Sequence, residues 1–283
     1  MSYPISSNKF DNPLLKELLH KLTLYFNSIH TQFYIIGATA RDIVFSAIHD
    51  QEPGRKTFDL DIAIAIPNWD DFEKIAAGLC TLDDFKKSTI QKQRFHYKDE
   101  YELDIVPFGE IAKEDQNIYW PPEDDHAMSV KGFSEVANHT LALIVDEEFT
   151  IKVASLPGIF ILKLIAWKDR RHKTGKDADD ISYIIDTYLE INQDNLEEKN
   201  YDIYQDDNYT TYNAGAILMG RDLKKLFAGH TETKNEILNI IESELKEAEH
   251  STLISHIMKS NSILNYDQVY RALESIVNEL RKE

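Results

Sequence analysis

Cysteine is almost missing from this chain: Cys80 is the only one among 283 residues. A disulfide framework within the chain is excluded, and a reducing cytoplasmic setting is expected. No apolar run approaches the roughly 20 residues needed to span a bilayer, so no membrane partner is expected. The opening stretch MSYPISSNKFDNPLLKELL has no basic start followed by an apolar segment and does not read as a secretory signal. The ten histidines form no HxxxH pair or Cys/His cluster, which argues against zinc. Positive charge is scarce too. Against 49 Asp and Glu stand 31 Lys and Arg, a net charge of −18, which argues against a broad basic groove for nucleic acid.

The cations that are present are bunched. Residues 86–98 carry Lys86, Lys87, Lys92, Arg94 and Lys98, and residues 163–176 carry Lys163, Lys168, Arg170, Arg171, Lys173 and Lys176. Residues 190–207 hold seven acids and only Lys199. A basic strip on an acidic body suits a compact anionic ligand better than a long duplex.

Periodicity predicts a helix over 13–30, a strand at 33–36, a helix over 39–49, a loop at 51–56 and an alternating strand from Phe58 to Ile66. Asn68 is placed to cap a helix over 69–79. Strands follow at 88–97 and 101–108, joined by a polar turn at 98–100, with a further pair at 140–145 and 149–153. From Ser155, a candidate N-cap with Pro157 in the first turn, the pattern turns helical, with helices over 156–171, 177–190, 211–228, 233–248 and 267–281. The acidic stretch 191–208 reads as a loop. The expectation is an α+β chain: a mixed-sheet domain over 1–152, then a helical-bundle domain over 153–283 that contributes to an active-site cleft.

The chemistry-bearing residues gather on the strands. Asp59 and Asp61 lie two apart, so their side chains share one face, with Cα atoms about 6.5 Å apart. Asp is a poor strand former, so two in a short strand ask for a reason. A carboxylate pair of this kind can hold Mg2+ or Mn2+ for phosphoryl transfer. Asp104 offers a third carboxylate, as base or metal ligand, and Glu102 on the same face competes for that role. Upstream, Gly37-Ala38-Thr39 leads from the strand into a helix that carries Arg41 and Asp42. Glycine permits close backbone approach to a phosphate, the helix start offers free N–H groups, and Thr39 adds a hydroxyl. Arg41 can bind a phosphate or orient a carboxylate. Downstream, Lys163 and Arg170 are seven apart on one helical face and could clamp a triphosphate.

Together, Ile36-Gly37-Ala38-Thr39, Asp59-Leu60-Asp61 and Asp104 resemble the polymerase β nucleotidyltransferase superfamily, with Ala38 in place of the usual Gly or Ser. Lys163-x-x-Ala166-x-x-x-Arg170, followed by Lys176-Asp177-x-x-Asp180, resembles the third and fourth motifs of the AbiEii/AbiGii toxin family. Gly215-Ala216 and Gly220-Arg221-Asp222 match a segment of that family's helical half. The resemblance implies an enzyme that moves a nucleotidyl group from an NTP to an acceptor hydroxyl. It adds Asp177 to the nucleotide-binding set, and implies a cognate antitoxin and tRNA or another RNA as acceptor. The head of the chain is also similar to CCA-adding enzymes, but no Arg-Arg-Asp-Phe-like segment follows. An antibiotic nucleotidyltransferase and an inactive binding module of the same fold are the alternatives.

Overall fold

The computed structural model describes residues 2–10, 12–51, 59–122, 127–192, 200–205 and 209–282. Phe58, the expected loop at 52–56 and most of the acidic stretch 191–208 lie outside the described residues. The chain forms two compact units, Met1–Ile159 and Phe160–Glu283.

The first unit is built on a mixed sheet, eight-stranded among the described residues. Its strands are β1 (Ser2–Ile5), β2 (Phe33–Ile36), β3 (Asp59–Ala65), β4 (Phe85–Lys87), β5 (Arg94–Tyr97), β6 (Tyr101–Phe108), β9 (Thr140–Val145) and β10 (Phe149–Ala154). A separate two-stranded ribbon holds β7 (Asn117–Tyr119) and β8 (Ala127–Ser129). The sheet order is β1-β9-β10-β2-β3-β6-β5-β4, with β3 and β6 parallel at its centre. Leu60, Ile62 and Ile64 are fully buried, the apolar face expected from the alternation. Around the sheet lie α1 (Pro13–Ser28), α2 (Gly37–Ile43), α3 (Trp69–Leu79) and α4 (Phe133–Asn138). Asn12 caps α1, its side chain accepting from the Leu14 N–H, with Pro13 in the first turn. Asn68 caps α3 as expected, accepting from the Asp71 N–H.

Three local expectations change. The strand expected over 88–97 is confined to β5 at Arg94–Tyr97, because the Ser88 hydroxyl accepts from the Ile90 and Gln91 N–H groups and holds a turn between it and the unexpected short β4. The helix expected from residue 39 begins at Gly37 and runs on as a π-helical stretch over Val44–Ile48. The edge strand β1, parallel to β9, is too short to show a period.

The helix α5 (Leu156–Arg170) crosses from the first unit into the second. At its start the Gly158 N–H approaches the Ser155 hydroxyl at 3.4 Å. The second unit continues with α6 (Lys176–Ile191), α7 (Thr211–Leu226), α8 (Thr231–Lys246), α9 (Thr252–Ser260) and α10 (Tyr266–Arg281). Here α7 packs against both α6 and α10, α8 packs on α10, and α9 packs on α6. The nine-residue α9, capped by Ser251, was too short to stand out by period. No helix among the described residues is long and apolar enough to cross a membrane.

The α6–α7 contact depends on Gly215. A Cβ there would lie 2.2 Å from the Ile185 carbonyl oxygen, a backbone atom inside α6. Gly215→Ala gains about 1 kcal/mol of helix propensity. The overlap forces two helices apart, at a cost of about 1–3 kcal/mol or more. A net loss of stability is expected, read as a lower thermal midpoint; an unchanged or higher midpoint would show that the helices can separate cheaply.

A second contact is pH-sensitive. The Trp167 Nε1–H donates to His256 Nδ1 at 3.2 Å, which requires an unprotonated acceptor. Burial, then the nearby Lys259, lower the His256 pKa from its ordinary value, with Asp179 and Glu244 opposing. The folded state therefore binds this proton less readily than the unfolded one. The stability from this contact is complete above about pH 6.5 and declines as pH falls through the unfolded value towards the folded one. Denaturant unfolding between pH 7 and 5 should lose this component of its slope in His256→Phe.

Candidate active site

The register of β3 with β6 puts Asp61 directly beside Asp104 and Asp59 beside Glu102. Side chains alternate along each strand, so the four carboxylates share one face of the sheet. Leu60 and Leu103, between them, are fully buried on the other. Asp59 and Asp61 are half-buried. On the far side of β3, the antiparallel partner β2 ends with Ile36 opposite Asp61.

Gly37 follows, with φ +72°. A Cβ at this position would lie 2.2 Å from Asp61 Oδ2 and 3.0 Å from its Cγ. The glycine is thus required twice, by its left-handed backbone and by the carboxylate against it. The close approach expected of a phosphate is, in this structure, first an approach to Asp61. Ala38 is buried and brings no polar side-chain group.

Thr39 differs from expectation, and Arg41 takes the second of its two expected roles, pairing with a carboxylate. Thr39 is 3% exposed and its hydroxyl donates to the Asp59 backbone carbonyl at 2.6 Å. It fixes the strand under the carboxylate and does not offer its hydroxyl to a phosphate. Arg41 is buried, and its Nε and Nη2 donate to Asp42 Oδ1 at 2.8 and 2.5 Å. Burial of such a cation is tolerable only with a paired anion, and the i+1 acid supplies it.

Asp104 and Glu102 are now distinguishable. The Asp104 side chain is 13% exposed and that of Glu102 45%. Arg94, opposite Asp104 on β5, forks onto it: Nε to Oδ1 at 2.8 Å and Nη2 to Oδ2 at 2.9 Å. Arg94 also pairs with Glu102. The hydrogen bonds that Asp104 accepts raise the guanidinium pKa above its already high value, with added attraction from Asp104, Glu102 and Asp59. The arginine was read from the sequence only as part of a basic strip. The expected hairpin turn at 98–100 contained the signal, because closing it there sets Arg94 opposite Asp104.

The rest of that strip is also engaged. Lys86 pairs with Asp99 at 2.6 Å, Lys87 with Glu73 at 3.1 Å and Lys98 with Glu17 at 2.7 Å. Lys92 donates to the Pro121 carbonyl at 2.7 Å, beside Trp120, which packs on Trp69 and Phe72. Four of the five cations of the strip are therefore paired with acids and the fifth, Lys92, is tied to a carbonyl, which corrects the expectation of an open basic surface there.

In the second unit, Lys163 and Arg170 share a face of α5 and both meet acids of α6. Lys163 Nζ lies 2.5 Å from Asp180 Oδ2 and 3.6 Å from Asp177 Oδ1. Arg170 forks onto Asp177, Nε to Oδ2 and Nη2 to Oδ1, both at 2.6 Å. Asp177 is fully buried, so it positions the two cations and does not itself face a nucleotide. Two cations and two anions leave this cluster close to neutral.

Among the described residues, no group of three or more His, Cys, Asp or Glu side chains is arranged to hold a metal ion. A hard divalent ion does not need one. Mg2+ is commonly held by one or two carboxylates, with substrate phosphates and waters completing its shell. Asp59 and Asp61 fit that requirement, being hard oxygen donors on one face, with Gly37 leaving room beside Asp61 Oδ2. Asp104 would join them only on sharing or surrendering its bonds to Arg94.

Comparison with known proteins agrees with the motifs. The family model described as nucleotidyl transferase AbiEii toxin, Type IV TA system, matches residues 23–262. No curated protein sequence matches significantly. Among solved structures, a solution structure of the antibiotic-resistance factor ANT(2'')-Ia is 14% identical, covering 66% of this chain and 86% of that one, with a TM-score of 0.34. A crystal structure of ANT(2'')-Ia with adenylyl-2''-tobramycin is 13% identical, covering 66% and 92%, with the same TM-score. Those likenesses are too loose to inform the site. The family match spans both units and every motif described above, and on it this chain, an α+β nucleotidyltransferase of the polymerase β-like kind, belongs to the AbiEii nucleotidyl transferase toxin family.

Proposed function

We propose that the enzyme uses Mg2+ or Mn2+ to transfer a nucleoside monophosphate from an NTP to the terminal hydroxyl of an RNA, with tRNA as the first candidate. We further propose that it acts in the cytoplasm as the toxin of a toxin–antitoxin pair. The observation that carries the reading is the Asp59–Asp61 pair with Gly37 pressed against Asp61.

In the reaction the acceptor oxygen bonds to the α-phosphorus, the bond to the bridging oxygen of the β-phosphate breaks, and pyrophosphate leaves. A divalent ion held by Asp59 and Asp61 would offset the negative charge on the phosphates. Leu60 and the Thr39 bond to the Asp59 carbonyl keep those carboxylates rigid. Asp104 stands beside Asp61 and is the candidate third metal ligand or base for the acceptor proton, and Arg94 fixes its orientation in the metal-free protein. Backbone N–H groups at the start of α2 are the candidates for a phosphate oxygen in place of the Thr39 hydroxyl and the Arg41 guanidinium. Lys163 and Arg170 are the candidate triphosphate ligands of the second unit, with Asp177 and Asp180 holding them. Because that cluster is near neutral, NTP binding should lean on the metal.

A second reading is favoured by one observation, the pairing of the cations over 86–98 on a chain of charge −18. Such a surface suits a small cationic, hydroxylated acceptor better than a long polyanion.

Incubation with each labelled NTP, with total tRNA or with an aminoglycoside panel, separates these readings. Label in RNA with a shallow salt dependence, from a few phosphate contacts, is expected. Label only in the small molecule would replace the RNA reading with the second. Asp61→Ala should abolish transfer and relieve growth arrest on expression, while the protein still folds; full activity in that variant would sink the metal assignment. Lys163→Ala should weaken NTP binding in calorimetry by about tenfold, the order of one charge-assisted phosphate contact of about 1.5 kcal/mol. Unchanged affinity would restrict Lys163 to its ion pairs on α6.

A further inference from the structure

Four carboxylates on one sheet face repel one another, and a cation that meets them is part of the chain. Arg94 forks onto Asp104, pairs with Glu102 and is attracted by Asp59. Its backbone is fixed. Phe95 is fully buried opposite Leu103, Tyr97 is buried opposite Tyr101, and the Gln93 carbonyl accepts the Ile105 N–H at 2.9 Å. Two residues earlier, Lys92 is tied to the Pro121 carbonyl. The guanidinium, with its side chain 18% exposed, therefore hangs from a pinned strand directly over the acids. A tethered cation of this kind acts at an effective concentration set by its short tether rather than by the solution.

We propose that Arg94 is the built-in counter-ion of the carboxylate face: it holds the acids together when no metal is bound, and it competes with a divalent cation for Asp104. The inference rests on the metal reading above and adds a positioning residue that sets the metal affinity. When a divalent ion enters, Asp104 must share or give up the fork, and the arginine charge nearby opposes the arriving one. Two like charges within several ångströms, in partly wet surroundings, repel strongly enough to weaken binding by about tenfold or more. The same arginine makes the metal-free protein more stable than four adjacent acids alone would allow. Metal and arginine are then alternatives for the same negative charge, and the protein without nucleotide holds its divalent ion weakly.

The test is Mn2+ binding to the full chain without nucleotide, read from the free-ion electron paramagnetic resonance signal, together with thermal midpoints in chelator and in Mn2+. Arg94→Gln should bind Mn2+ about tenfold more tightly than the wild type. Its midpoint should fall in chelator and recover with Mn2+ by more than the wild type gains. Arg94→Lys keeps the charge but gives up the fork, and should bind about two- to threefold more tightly. Mn2+ binding that is lost in Asp61→Ala, yet unchanged or weaker in Arg94→Gln, overturns this inference alone. If the glutamine variant does not fold in either condition, unchanged or weaker binding in Arg94→Lys overturns it. Absence of Mn2+ binding in the wild type and both Arg94 variants removes the metal reading and this inference with it.

Discussion

The parallel pairing of β3 with β6 is the constraint from which the site follows. With Leu60 beside Leu103 and Ile62 beside Ile105, all fully buried, the register cannot slip without turning apolar side chains to water. The acids between them then have no freedom of placement: Asp61 must stand beside Asp104, and Asp59 beside Glu102. On each flank a second strand responds. β2 is followed at once by Gly37, the one residue type that leaves room for the Asp61 carboxylate, and β5 brings up a guanidinium to meet Asp104. A core interaction of ordinary hydrophobic kind thus concentrates negative charge, and the polar features around it answer that concentration.

Much of this was readable before any coordinates. The period of two over 59–66, the Asn68 cap and the change to helical spacing after Ser155 are local signals, and each survives because local and tertiary preferences agree. Asp59, Asp61 and Asp104 announced themselves because acids are costly in strands. What stayed hidden was pairing. A hydroxyl at residue 39 could face a phosphate or a carbonyl, and only the position of β3 decides for the Asp59 carbonyl. Arg41 could meet a phosphate or a carboxylate, and its burial, with Asp42 already next to it, decides for the carboxylate. The cations over 86–98 read as a surface because a linear sequence cannot show that Glu73, Asp99 and Glu17 stand opposite them. Edge elements such as β1 and β4 were missed because three or four residues carry no period.

The helical unit repeats this lesson in a different geometry. Lys163 and Arg170 were correctly placed on one face of α5, but their partners come from the start of α6. Asp177, in the first turn of that helix, gains from the helix dipole as well as from the fork of Arg170. The small residues of α7 serve packing: Gly215 admits the backbone of α6, and Gly220 admits the Glu279 side chain of α10.

The row of neutralised lysines has a kinetic consequence. With Lys86, Lys87 and Lys98 each paired with an acid, the net charge of −18 is felt at a distance as a largely negative field. A polyanionic partner would approach against that field, so diffusion would not be guided to the active face but slowed on the way to it. Dissolved salt shortens the reach of the repulsion to about 10 Å at 0.1 M. Added salt would therefore speed the first encounter with such a partner while weakening the few contacts made afterwards, so that arrival and residence respond to ionic strength in opposite directions.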